Sequence, residues 1–314
     1  MTHASARRPV LLLCLPRSGS TWTANVLSRA SGVRYISEPA DSYRWPAALW
    51  AKFGLAEYPT PDEALSSKRF QNLWETVLDR PSYFDMARFS AKLLPQIPPS
   101  LIRRAVRPRQ TIGNTRSVRT HSAPLRKQPR SSERLLIKEV TISFCGGLIA
   151  DWLGADVLVI RRDPKKVAAS WQKMSFPPEP VHQQPWVAQQ IIQPLAIAKP
   201  SLESNAERLA WTIGLLDLAL MREAEARRWP VVTHEQLAAN PADEFQKVAQ
   251  TLNLQPTEEM WRFLNNSGSS EGSGFSTSRT AEQIRDSSRG VFSDRDQRNL
   301  ENVFDLFAEH VPSI

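Results

Sequence analysis

The sequence predicts an α/β fold built on a single parallel sheet flanked by helices. Three observations carry that prediction. The run Val157-Leu158-Val159-Ile160 is wholly apolar, as strands buried on both faces of a parallel sheet are. The apolar run at residues 10–15 feeds a tight turn, and a helical pattern follows at Ala24, Val26, Leu27 and Ala30. Strand-like and helix-like segments then alternate along the 314 residues, which is the order a parallel sheet needs. No internal repeat is visible. The chain is read as one domain over residues 1–314, with residues 40–135 forming a cap of short helices and basic loop inside it.

The elements follow in order. Val33-Arg34-Tyr35-Ile36-Ser37 reads as a second strand, ending at Glu38-Pro39. Residues 43–105 are rich in Trp, Leu, Ala and Pro and read as several short helices. Leu135-Leu136-Ile137-Lys138-Glu139-Val140 is a short strand, and residues 144–153 look helical. After the apolar strand, Asp163 at the N-cap and Pro164 at the next position open a helix. Residues 175–200 hold six prolines and read as an irregular excursion. A long amphipathic helix over 203–228, a strand over 230–233 and a helix over 241–252 come next. Residues 265–278, rich in Ser and Gly, read as a flexible loop. Ser293-Asp294-Arg295-Asp296 starts the final helix.

Bulk properties narrow the class. Apolar residues make up 41% of the chain and charged residues 23%, so a globular protein is expected. No apolar stretch approaches the ~18–20 residues that span a bilayer. Arg7-Arg8 before the first apolar run mimics a signal peptide, but the run is short and no small-residue cleavage site follows. The reading is the first strand of a cytoplasmic protein. Cys14 and Cys145 sit in apolar runs and read as buried thiols, and no metal site is implied. The net charge of +8 favours anionic partners. Its excess is concentrated between Ile102 and Arg134, where ten Lys or Arg residues stand against one acid, Glu133. That stretch is either a solvated loop or a lid that gathers an anion. No recognised nucleic-acid motif accompanies it.

The loop Pro16-Arg17-Ser18-Gly19-Ser20-Thr21-Trp22 carries the main chemical signal. A buried strand delivers it, and a helix starts behind it. Backbone N–H groups and the helix N-terminus would face an anion, Arg17 adds a full charge, and Gly19 permits close approach. The alternative is a turn whose Ser and Thr only cap the helix. The nucleoside-triphosphate loop, with its second glycine followed by Lys and Ser or Thr, is not present. The second signal is Arg162 at the carboxyl end of an apolar strand, followed two helical turns later by Ser170. Ligands of α/β sheets bind at such strand ends.

Both elements resemble those of the sulfotransferases that use PAPS (3′-phosphoadenosine-5′-phosphosulfate), closest in style to carbohydrate and bacterial members. The resemblance implies that Arg17, Ser18, Gly19, Ser20, Thr21 and Trp22 hold the 5′-phosphosulfate end. It implies that Arg162 and Ser170 hold the 3′-phosphate. It also implies Trp22 as a platform near the adenine, against an equal alternative of core packing. Arg289, in the basic run 285–289, resembles a late element that closes on the 3′-phosphate. Thr233-His234-Glu235-Gln236-Leu237 resembles a further landmark in which many members carry Tyr where His234 stands. Lys138 is spaced like a lysine that contacts the transferring sulfuryl group. The Tyr35-to-Pro39 segment fits an aromatic-x-x-Glu-Pro element whose Glu removes the acceptor proton, which makes Glu38 the leading general base. Glu139 and His121 compete with it. Glu139 faces away from Lys138 on a strand, and His121 mimics a Lys-Thr-His-x-x-Pro element from within the basic stretch.

The resemblance therefore implies sulfuryl transfer from PAPS, without a metal, to a hydroxyl of a carbohydrate or small-metabolite acceptor, leaving PAP (3′,5′-adenosine bisphosphate). The competing readings are a P-loop-type small-molecule kinase and a non-enzymatic anion or nucleic-acid binder. The kinase lacks its Lys and an evident Mg²⁺ carboxylate. The binder leaves both phosphate elements unexplained. Tyr43, Trp45, Trp50, Trp74, Tyr83 and Trp186 could stack on an acceptor or fill a core.

Overall fold

The computed structural model describes residues 8–42, 45–79, 133–267 and 290–312. Five strands, β1 (Val10–Cys14), β2 (Val33–Ser37), β3 (Arg134–Glu139), β4 (Asp156–Arg161) and β5 (Val231–Thr233), form one sheet in the order β2-β3-β1-β4-β5. Every pairing is parallel, with Leu12 opposite Lys138 on one side and Leu158 on the other. The fold is thus α/β with a single parallel sheet, as the sequence indicates.

Successive strand residues point to opposite faces, and two cores result. Leu12, Leu136, Leu158 and Ile160 pack on one face against α1 (Ser20–Leu27), α9 (Pro241–Thr251) and α10 (Glu258–Ser267). Leu11, Leu13, Ile137 and Val159 pack on the other. That face carries α2 (Pro46–Ala51), α3 (Pro61–Ser66), α4 (Lys68–Asp79), α5 (Gly146–Leu153), α6 (Pro164–Lys173), α7 (Asn205–Arg227) and α11 (Asp294–Ala308). The short α8 (His234–Ala239) follows β5 directly. Thr60, Ser204 and Thr233 each close a reciprocal capping box at the start of α3, α7 and α8.

β1 lies at the centre of the sheet. The chain leaves it toward β2 and later crosses back to β4 on its other side. The crevice between the carboxyl ends of β1 and β4 is therefore the switch point at which such sheets bind ligands.

Two expectations need correction. The excursion over 175–200 contains ordered turns: a 3₁₀ turn at Val181–Gln183, a helical turn at Pro185–Val187 and a π-helical turn at Ala188–Ile192. Val181, Val187 and Ile191 are buried there, so packing orders what proline content marks as irregular. The loop read over 265–278 begins inside α10, because Ser267 is buried and bonded to Trp22; residues 268–278 lie outside the described residues. The basic stretch lies outside them too, except for its end. There Glu133 pairs with Arg34, and Arg134 opens β3, donates to the Arg8 carbonyl at 2.7 Å and pairs with Asp156. No helix among the described residues is long and apolar enough to cross a membrane.

Candidate active site

The turn after β1 and the start of α6 meet at the switch point. Arg17 Nε donates to Ser170 Oγ at 3.0 Å, and Arg162 Nη1 donates to the Arg17 carbonyl at 2.8 Å. Two segments 145 residues apart thus form one cationic cleft. Trp171 Nε1 adds a bond to the Pro16 carbonyl at 2.9 Å, which fixes the turn on α6 from below. Arg162 is buried, while Arg17 and Ser170 are half-buried.

The turn itself is strained. Arg17 takes φ 73° and Gly19 φ 80°, both in the left-handed region. Gly19 is the N-cap of α1, and no side chain caps the helix. The first-turn N–H groups of α1 have no intrahelical acceptor. Ser18 and Ser20 are buried and Thr21 is exposed, so of the three hydroxyls only that of Thr21 belongs to an exposed residue. The reading of this turn as a side-chain cap is not what the structure contains.

Across β1, Lys138 projects from β3 on the α1 face. Its side chain is 2% exposed. Its ammonium donates to Thr21 Oγ1 at 3.0 Å and pairs with Glu38, whose side chain is 20% exposed. Burial pushes the Lys138 ammonium down, but Glu38 and then Tyr35 outweigh it and hold it above the ordinary lysine range. Glu38 follows β2 with φ 51°, and its N–H donates to the Lys138 carbonyl at 2.7 Å. The cleft therefore juxtaposes a loop of backbone donors, Arg17, Ser170 and Arg162 on one side with a lysine–carboxylate pair on the other.

Two residues singled out in the sequence are buried here. Trp22 is 8% exposed, meets His234 and Phe245 edge-on at 5.8 and 5.1 Å, and bonds Ser267 through Nε1 at 2.8 Å. These contacts pack Trp22 into the core on the α1 face, and its backbone N–H stays in the first turn of α1. Glu139 is fully buried and accepts four hydrogen bonds, so it is not placed to take an acceptor proton. Trp45 and Trp74 are likewise core residues. His121, Arg289, Tyr43 and Tyr83 lie outside the described residues.

One neighbour escapes the sequence reading. The His234 imidazole packs directly behind the turn, where a Cβ on Gly19 would lie 2.2 Å from His234 Nδ1. The signal for it was the glycine itself, since a residue that must lack a side chain implies a close neighbour.

Among known proteins, no family model and no curated protein matches the chain. Several solved structures are similar to it. The sulfotransferase domain from the curacin biosynthetic pathway is 12% identical, with a TM-score of 0.46 over 94% of this chain and 97% of that one. The sulfotransferase domain from the Synechococcus PCC 7002 olefin synthase is 16% identical, with a TM-score of 0.43 over 95% and 94%. Mouse sulfotransferase SULT7A1 complexed with PAP is 12% identical, with a TM-score of 0.39 over 96% and 84%. Likenesses this loose assign no function; the residues of the cleft have to do so.

Proposed function

We propose that the chain is a PAPS-dependent sulfotransferase that moves a sulfuryl group to a hydroxyl of a carbohydrate or small-metabolite acceptor. The observation that carries the reading is the joining of Arg17, Ser170 and Arg162 into one cleft beside the Lys138–Glu38 pair. The donor set fits a doubly phosphorylated nucleotide. The uncapped turn of α1 with Arg17 suits the 5′ end, and Arg162 with Ser170 suits the 3′-phosphate.

PAPS supplies the sulfuryl group and the leaving phosphate. The chain supplies position and charge. Arg17 and the N–H groups of residues 18–21 stabilise the leaving oxygen. Lys138 stands on the acceptor side and neutralises charge on the group in transfer. Glu38 takes the acceptor proton, for which its partial exposure leaves a path. The reducing cytoplasm is the compartment that suits Cys14 and Cys145, both buried free thiols. Burial lifts the Cys14 thiol to about 12, so it is not a nucleophile.

The test has two arms. PAP without magnesium should raise the melting temperature, and Mg·ATP should not; the reverse result assigns a kinase. Labelled PAPS offered with a panel of hydroxyl acceptors should give transfer. Arg17→Ala should weaken PAP binding, and Glu38→Gln should keep binding and lose about 10²–10⁴-fold in turnover. Full turnover in Glu38→Gln removes Glu38 as the base.

A further inference from the structure

Glu139 is next to Lys138 on β3 but faces the other side of the sheet. Its carboxylate grips two different segments. Oε1 accepts from the Val140 N–H at 2.8 Å, the Thr141 N–H at 3.0 Å and the Thr141 hydroxyl at 3.1 Å, all in the turn that leaves β3. Oε2 accepts from the Ala40 N–H at 2.9 Å, in the turn that leaves β2, two residues past Glu38.

That second turn needs holding. A non-glycine residue in the left-handed region costs about 1–3 kcal/mol and persists only where its surroundings over-determine it. Glu38, at φ 51°, is such a residue. It is bonded before and after: its own N–H reaches the Lys138 carbonyl, and the Ala40 N–H reaches Glu139. Both anchors are consecutive residues of β3.

We propose that Glu139 is a positioning residue: through its bond to the Ala40 N–H it fixes the Glu38-Pro39-Ala40 turn so that the Glu38 carboxylate meets the Lys138 ammonium. The inference rests on the reading of Glu38 as the base. It gives a buried acid that does no chemistry a part in aiming one that does.

Glu139→Gln separates the two grips. An amide has one acceptor oxygen. Turned toward Val140 and Thr141 it keeps three bonds, and its NH₂ then opposes the Ala40 N–H, donor against donor. Thr141→Val is the control, because it removes one bond on Oε1 and leaves Ala40 held. The readouts are the NMR signal of the Lys138 ammonium, PAP affinity by calorimetry without magnesium, and kcat on the best acceptor of the panel. Glu139→Gln should shift or broaden the ammonium signal and lower kcat about tenfold or more, with PAP affinity within about twofold. Thr141→Val should change none of the three. An unchanged ammonium signal in Glu139→Gln, or an equal change in both variants, overturns the proposal. Should Glu139→Gln not fold, hydrogen exchange in the unaltered protein decides: an Ala40 amide that exchanges as fast as an open loop rules the grip out. If the unaltered protein binds no PAP, the sulfotransferase reading falls, while the ammonium signal still reports whether Glu139 holds Glu38.

Discussion

Arg17 and Glu38 carry the same backbone penalty for different ends. Both hold left-handed φ values, 73° and 51°, that an ordinary residue avoids. Strain in a turn that binds nothing is easily relieved by glycine; under the proposed function each of these two turns exists to present its side chain. Arg17→Gly therefore separates fold from function. Glycine takes φ 73° without a Cβ clash, so denaturant unfolding should find the variant as stable as the unaltered protein, or more stable by up to about 1 kcal/mol. A charge-assisted contact to phosphate is worth about 1.5–3 kcal/mol, so PAP affinity should fall about 10- to 150-fold. A variant that loses stability and keeps its PAP affinity would place Arg17 in the scaffold and not in the cleft.

Among the elements, β1 with its turn and α1, and β4 with α6, were legible because each signal is local. An apolar run, a turn signal (Gly19 in one, Asp163-Pro164 in the other) and a helical pattern lie within twenty residues of one another in both cases. The links between elements were not legible. Gly19 announces a close neighbour but not that it is His234, and nothing near Ala40 announces Glu139, because one partner arrives from the start of α8 and the other from β3. Trp22 was ambiguous for the same reason: an aromatic at the end of a loop serves a ligand or a core equally well until Phe245 and Ser267 arrive. The long helix α7 shows the cost of such hidden contacts most plainly. A Cβ at Gly214 would lie 2.2 Å from the Phe307 ring of α11. Gly214→Ala should gain helix propensity yet lose about 1–3 kcal/mol overall through overpacking. Its PAP affinity should stay unchanged, since α7 and α11 pack on the face opposite α1. A variant more stable than the parent would mean that the two helices move apart at little cost.

At the scale of the molecule, two buried carboxyls set how stability answers to pH. Burial pushes Glu139 above its ordinary 4.5, against the pull of the Ala40 and Val140 N–H groups and Lys52, and with Glu38 adding to the push. Burial likewise pushes Asp217 above its ordinary 3.8, against its pairing with Arg161 at 2.8 Å. A carboxyl whose folded pKa exceeds its unfolded one holds more protons in the native state. Its contribution to stability is then greatest at acid pH and declines as pH climbs from the unfolded value through the folded one. Lys138 does not oppose this trend in the same window. Its raised pKa gives a contribution that is complete below the ordinary lysine value of 10.5 and is lost only above it. Glu139→Gln removes one of the two carboxyls, so the comparison of denaturant unfolding between it and the unaltered protein isolates the effect. As pH climbs above the ordinary 4.5 of Glu139 the unaltered protein should lose ground to the variant, with the difference levelling once Glu139 is ionised in both states. A gain by the unaltered protein over the same range would mean that four hydrogen bonds outweigh burial and that Glu139 folds as a settled anion. The grip on Ala40 would then be the stronger for it.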